Sequence, residues 1–142
     1  MHTKISIIIT TYNRKFFLSE LLGLLYNQKI EKGLKIDIVV FNDGSSDGTE
    51  KLIGSKYPEI HLLKGDGNFW FTKSLNQACK YAIEHLNPDY ILTLNDDVKF
   101  EHDFVHRLYA DYLKIDNPKS IIGCLSVSMQ NHQIITFAGY KR

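Results

Sequence analysis

Ile5-Ser6-Ile7-Ile8-Ile9-Thr10-Thr11-Tyr12-Asn13-Arg14 is the stretch from which the fold can be read. Its first half is β-branched and almost wholly apolar, with no strict alternation of polar and apolar residues. Such a run reads as a strand buried on both faces, as in a parallel sheet covered by helices on either side. It turns polar at Thr11-Tyr12-Asn13-Arg14. Beyond that loop Phe17, Leu18, Leu21, Leu22 and Leu25 recur at helical spacing, which predicts a helix over 15–28 with one apolar face.

The same strand, polar loop and helix recur down the chain. Gly33 and Lys35 lead into a second apolar strand over 36–41, which stops at Asn42-Asp43-Gly44-Ser45-Ser46-Asp47-Gly48, a cluster rich in turn and capping side chains. A helix over 48–55, ended near Pro58, and a short strand over 60–63 come next. After the loop Gly65-Asp66-Gly67-Asn68, the residues Phe71, Leu75, Ala78, Cys79, Ala82, Ile83 and Leu86 predict an amphipathic helix that Asn87-Pro88-Asp89 ends. Residues 90–94 read as a fourth, buried strand that stops at Asn95-Asp96-Asp97. A helix over 101–114 turns Phe104, Val105, Leu108 and Tyr112 inward. Strands near 121–127 and 133–138, joined by Gln130-Asn131-His132, close the pattern as a mixed or antiparallel extension. The alternation predicts an α/β fold with a doubly wound, mostly parallel sheet, as one domain spanning 1–142.

Composition agrees with a globular domain: of 142 residues, 44% are apolar and 23% charged. The net charge of +1, from 17 Lys+Arg against 16 Asp+Glu, lacks the basic excess of a nucleic-acid-binding domain, and no nucleic acid partner is expected. Cys79 and Cys124 stand far apart in apolar surroundings and read as two buried thiols rather than a disulfide, which favours a reducing compartment. No apolar run has the length of a membrane span, and 5–9 is too short for a signal-peptide core, so the location expected is cytoplasmic.

In an open α/β sheet, ligands bind outside the carboxyl ends of the strands. Three polar clusters follow strands directly, at 10–14, 42–47 and 95–97, and a fourth spans 66–76. A parallel sheet would bring all four to one edge. Two adjacent carboxylates, Asp96 and Asp97, repel each other, and a divalent cation would relieve the repulsion; oxygen ligands of this kind suit Mg²⁺ or Mn²⁺. The plainer reading is a solvated loop capping the next helix. Asp43-Gly44-Ser45-Ser46-Asp47-Gly48 resembles the start of a calcium loop, but the twelfth position is Gly54 rather than Glu, and Asp47 has a plainer role as a helix cap. His102 and His106, four apart, lack an evident third zinc ligand and read as exposed. Trp70 is open to two readings, a core aromatic or a stacking face, and Phe71 reads as core.

Taken together the clusters resemble the family 2 glycosyltransferases, with their glycosyltransferase A-type fold. The resemblance is carried by 5–14, by 38–49 and by Leu92-Thr93-Leu94-Asn95-Asp96-Asp97-Val98, in that order and spacing, and more loosely by 121–139. It implies a metal-dependent, inverting transfer of sugar from a UDP- or dTDP-sugar to a hydroxyl of a glycan or lipid-linked acceptor, in polysaccharide or cell-envelope assembly. A lipid-linked acceptor would bring the chain to the inner face of the membrane as a peripheral protein. By the same resemblance Thr10 and Tyr12, with Thr11 and Asn13 in the same loop, lie against the nucleotide. Asp43 accepts a hydrogen bond from the base with Ser45 nearby, Asp96 contacts ribose or sugar, and Asp97 binds Mn²⁺ or Mg²⁺. Asn68, Lys73 and Asn76 face the nucleotide sugar. The acidic triplet begins here with Asn95 where Asp is frequent, and Trp70 stands where many members have Gly. Family members usually continue for another half-domain that supplies the acceptor site and the catalytic base. No residue here matches that base, so the chain is expected to be a donor-binding part, weakly active or inactive alone. An uncovered sheet edge or apolar patch would then favour a homodimer. A non-catalytic sugar-nucleotide-binding module is the alternative. A nucleotidyltransferase ranks lower, because 11–14 lacks the glycines of that class.

Overall fold

A computed structural model describes residues 2–117, 119–128, 130, 131 and 133–137. Backbone proximity divides the chain into two compact units, Met1–His106 and Arg107–Arg142.

The first unit is built on four parallel strands, β1 (Thr3–Thr11), β2 (Leu34–Asn42), β3 (His61–Lys64) and β4 (Tyr90–Asn95), in the spatial order β3-β2-β1-β4. They are connected by α1 (Lys15–Tyr26), α2 (Thr49–Lys56) and α3 (Trp70–Tyr81), the last prolonged by a π-helical turn over Ala82–Leu86. The chain steps outward from β1 to β3 and then crosses back to lay β4 on the other side of β1. The strand order therefore reverses between β1 and β4, which is where such sheets form a crevice.

Successive strand side chains point to opposite faces. Ile7, Ile8 and Ile9 are nevertheless all fully buried, so both faces of β1 are covered, as the apolar run predicts. On one face Ile8, Val39 and Phe41 pack with Ala78 and Ala82, joined by Phe69, Leu75, Cys79 and Leu86. Right-handed crossovers in this strand order place α1 and α2 on the face opposite α3, and Leu18, Leu21, Leu22 and Leu25 of α1 and Ile53 of α2 are buried as its apolar cover. Each fully buried aliphatic side chain contributes ~1.5–3 kcal/mol relative to exposure.

Several expectations need correction. Phe17 is exposed, with its ring under the Arg14 guanidinium at 4.5 Å. Phe71 and Ile83 are exposed too, because the stripe that meets the sheet runs through Leu75, Ala78, Cys79, Ala82 and Leu86 and leaves them at its margins. β4 is not a buried strand: it pairs only with β1 among the described residues, and its burial alternates, with Ile91 outward. An edge strand with one covered face shows this two-residue period.

Gln28 is a polar staple in the core. Its Nε2 donates to the Glu101 carbonyl (2.9 Å), its Oε1 accepts from Val105 N–H (3.0 Å), and Lys29 N–H donates to the His102 carbonyl (2.7 Å). The segment after the acidic loop is thus fixed to the end of α1. His102 is exposed as expected, whereas His106 is half-buried with Nε2 3.4 Å from Glu31.

α4 (Phe104–Tyr112) begins in the first unit and runs into the second. Within the second unit β5 (Ser126–Val127) and β6 (Ile135–Phe137) form a two-stranded antiparallel hairpin, shorter than the predicted strands. The Ser128 hydroxyl accepts from Gln130 N–H (3.2 Å) at its turn. Cys124 is exposed, not buried, and both cysteines are free. His132 and 138–142 lie outside the described residues.

Candidate functional site

The pairing register brings the strand ends into line. Thr11 lies beside Asn42, Asn42 beside Lys64, and Thr10 beside Asn95. The loops that follow β1, β2 and β4 therefore meet at one edge, over the point where strand order reverses.

Loop 95–97 carries two carboxylates in different surroundings. Asp96 is buried; its Oδ2 accepts from the Thr11 hydroxyl at 2.9 Å and its Oδ1 from Arg14 Nε at 2.9 Å. Burial pushes the Asp96 carboxyl above its ordinary value against the opposing pull of Thr11 and Arg14, and the neighbouring Asp97 charge adds to the rise. Asp97 is half-exposed, and its Oδ2 accepts from Arg14 Nη2 at 2.6 Å. The planar guanidinium of Arg14 thus spans both acids, a geometry that a lysine ammonium lacks. Arg14 is the residue that sequence reasoning left out of the site. Its only signal was a cation in a loop beyond a strand end.

The β1 and β2 loops are bound to each other. Asn13 has φ +53°, tolerable for an asparagine; its N–H donates to Ser45 Oγ (2.8 Å), and its Oδ1 accepts from Ser46 N–H (2.8 Å). Asp47 accepts from Lys15 N–H (2.7 Å) through Oδ2 and from the Thr49 hydroxyl (2.6 Å) through Oδ1. It therefore serves the first turns of both α1 and α2. Burial raises the Asp47 carboxyl, but the hydrogen bonds from Thr49 and Lys15 outweigh it and hold the group below its ordinary value.

Asp43 organises the loop after β3. Its Oδ1 accepts from Gly67 N–H (3.0 Å), and its Oδ2 accepts from Phe69 N–H (3.0 Å) and Trp70 N–H (2.9 Å). A buried carboxylate at the start of α3 also faces the positive end of the helix dipole. With three of about four lone-pair sites engaged, Oδ1 keeps room for one further donor. The glycines here are required by close approach. A Cβ on Gly65 would overlap the Asp43 carboxylate, and one on Gly44, at φ +73°, would stand 2.8 Å from Gly67 N.

Trp70 is not core. It is 80% exposed at φ +56°, a strained backbone for a bulky residue that the Asp43 bond helps to hold. Together with Phe69, Phe71, Lys73, Asn76 and Gln77 it lines an open cleft of about 560 Å³. Lys73 Nζ lies 3.7 Å from the Phe69 ring centroid. Asn68, Lys73 and Asn76 are exposed, and Tyr12 is exposed in the β1 loop. Thr10 is half-buried and Thr11 buried at the end of β1. The structure thus brings Thr11, Asn13, Ser45, Asp96 and Asp97 together. Asn68, Lys73 and Asn76 lie on the separate loop and helix that Asp43 ties to the β2 end.

A family model described as Glycosyl transferase family 2 matches residues 6–132. The chain belongs to this family. This family 2 chain is 31% identical over 126 residues to an uncharacterised glycosyltransferase of Rickettsia conorii, covering 85% of this chain and 19% of that protein. It is 30% identical over 125 residues to a hyaluronan synthase of Pasteurella multocida, covering 86% of this chain and 12% of that one. The chain therefore spans less than a fifth of either relative. Among solved structures it resembles TarS 1-349 of S. aureus in complex with UDP-GlcNAc, at TM-score 0.66 and 24% identity over 79% of this chain and 32% of that chain. It also resembles a mannosyltransferase of Pyrobaculum calidifontis in complex with GDP-Man and Mn²⁺, at TM-score 0.60 and 20% identity over 74% of this chain and 31% of that chain. At these identities the likeness speaks for the fold.

The described residues contain no group of three or more His, Cys, Asp or Glu placed to hold a metal ion. They do fit the sparser ligation usual for Mg²⁺, in which one or two carboxylates act together with ligand phosphates and water. Asp97 is the carboxylate open to such an ion, since both oxygens of buried Asp96 are engaged and Oδ1 of Asp97 accepts no hydrogen bond from described residues. No helix among the described residues is long and apolar enough to cross a membrane.

Proposed function

We propose that this chain is the donor-binding domain of a glycosyltransferase that takes a nucleoside diphosphate sugar, with UDP or dTDP as the nucleotide. The observation that carries the proposal is the 2.9 Å hydrogen bond from Thr11 to Asp96. It joins the ends of β1 and β4 where strand order reverses and leaves Asp97 open beside it. Thr10, Thr11, Tyr12 and Asn13 bound the nucleotide on the β1 side. Tyr12, exposed and aromatic, stacks on the base, and the remaining acceptor site on Asp43 takes a base N–H, with Ser45 beside it. Asp96, whose oxygens each keep a second lone pair, accepts from a ribose or sugar hydroxyl, while Asn68 from the loop before α3 and Lys73 and Asn76 from α3 face the sugar and phosphates. Mn²⁺ or Mg²⁺ held by Asp97 would supply Lewis-acid stabilisation of charge on the departing diphosphate. The acceptor hydroxyl must lose its proton to a positioned base. We assign no residue named here to that role, and place base and acceptor site outside this set. An inverting outcome, a glycan or lipid-linked acceptor in polysaccharide or envelope assembly, a cytoplasmic location at the membrane face, and a homodimer belong to the same proposal.

Calorimetry with UDP, dTDP and GDP in the presence of Mn²⁺ tests it. We expect about micromolar-to-millimolar binding of UDP or dTDP, tighter than that of GDP and lost or sharply weakened by Asp97→Ala. Absence of heat with both UDP and dTDP would refute the proposal.

A further inference from the structure

We propose that Arg14 is an internal counter-cation that competes with a divalent metal ion for Asp97 until a nucleoside diphosphate arrives. The inference rests on Asp97 being the metal ligand. Arg14 donates through Nε to buried Asp96 and through Nη2 to half-exposed Asp97, and its guanidinium also lies 4.5 Å over the Phe17 ring. The two arms differ in strength. Breaking the Asp96 arm leaves a buried carboxylate short of a partner, which is costly. The Asp97 arm is solvated and weak. An incoming cation therefore displaces Nη2 from Asp97 while Nε stays on Asp96. The guanidinium charge remains a few ångströms from the ion and repels it. A diphosphate brings negative charge and acceptor oxygens for the freed Nη2, which removes the repulsion. Metal and nucleotide then bind cooperatively, with Arg14 as the link.

The test is Mn²⁺ titration followed by the electron paramagnetic resonance of the free ion, for the whole chain alone and with saturating UDP. For the chain alone, Arg14→Gln is expected to bind Mn²⁺ more tightly than wild type, by up to about fivefold, the factor set by release of one exposed ion pair. Arg14→Lys, which keeps the charge without the fork, is expected to fall between the two. With UDP present the advantage of Arg14→Gln shrinks or reverses, so the ratio of Mn²⁺ Kd without and with UDP is larger for wild type. If Asp97→Ala weakens Mn²⁺ while Arg14→Gln leaves it equal or weaker, the role of Arg14 is overturned and Asp97 stands. If Asp97→Ala has no effect on Mn²⁺, both fall. Circular dichroism of each variant verifies the fold, and Arg14→Lys decides the matter by itself should Arg14→Gln unfold: tighter Mn²⁺ than wild type supports the role, and equal or weaker binding overturns it.

Discussion

Replacing Asp43 by Asn removes one charge and changes almost no volume, so its effect measures what the carboxylate does for the loop between β3 and α3. Asp43 is 5% exposed, and its carboxylate accepts three backbone N–H groups, from Gly67, Phe69 and Trp70. Asn can keep its oxygen toward Phe69 and Trp70 but then turns its amide toward Gly67 N–H, a donor facing a donor. One charge-assisted bond, worth ~1.5–3 kcal/mol, is lost, and two are weakened by about 1 kcal/mol each. Removing a buried charge returns part of that sum, because its desolvation no longer opposes folding. The net expectation is a destabilisation of about 2–3 kcal/mol. Urea unfolding at neutral pH measures it, with Asp66→Asn as the control. Asp66 sits in the same loop but is exposed and, among the described residues, accepts only from Asn68 N–H at 3.0 Å, so its loss should stay within ~0.5 kcal/mol. Hydrogen exchange should quicken at 67, 69 and 70 in Asp43→Asn. Equal stabilities for the two variants, or unchanged exchange at those three amides, would refute the reasoning.

Asp47→Asn should destabilise by about 1–2 kcal/mol at neutral pH, since the carboxylate serves two helix starts. Its native-state carboxyl lies below the ordinary 3.8, so its contribution is present above 3.8 and fades as pH falls through the lower native value; urea midpoints of wild type and variant should converge on acidification. Gly65→Ala should cost about 1–3 kcal/mol in thermal or urea unfolding, because the new methyl overlaps the Asp43 carboxylate and stands 2.9 Å from the Phe41 ring. A neutral result there would mean that the loop yields more readily than its packing implies.

Much of this was legible in the residues alone. An apolar run without alternation can be accommodated only with cover on both faces, and Ile7, Ile8 and Ile9 are buried accordingly. Helical spacing marked α1 and α3, although it misassigned Phe17, Phe71 and Ile83, which lie at the margins of their stripes. Periodicity gives the centre of an apolar face more firmly than its width. It also cannot distinguish an edge strand from a central one over six residues, as β4 shows. The polar clusters at strand ends were visible because side chains that repeatedly follow strands must share an edge once the sheet is parallel.

The residues alone specify the order of elements, the edge on which the polar residues gather, and the family whose pattern they match. What each polar group does there follows from the packing of the folded chain. Asp96 and Asp97 are adjacent and chemically identical, yet one is buried against Thr11 and the other open. Arg14 bridges them, Asp43 faces inward to three amides, and Trp70 points out. These differences depend on partners far along the chain, 85 residues apart for Thr11 and Asp96. Local spacing fixes which face a residue shares with its near neighbours. It carries no information about which distant loop the packed sheet sets against that face.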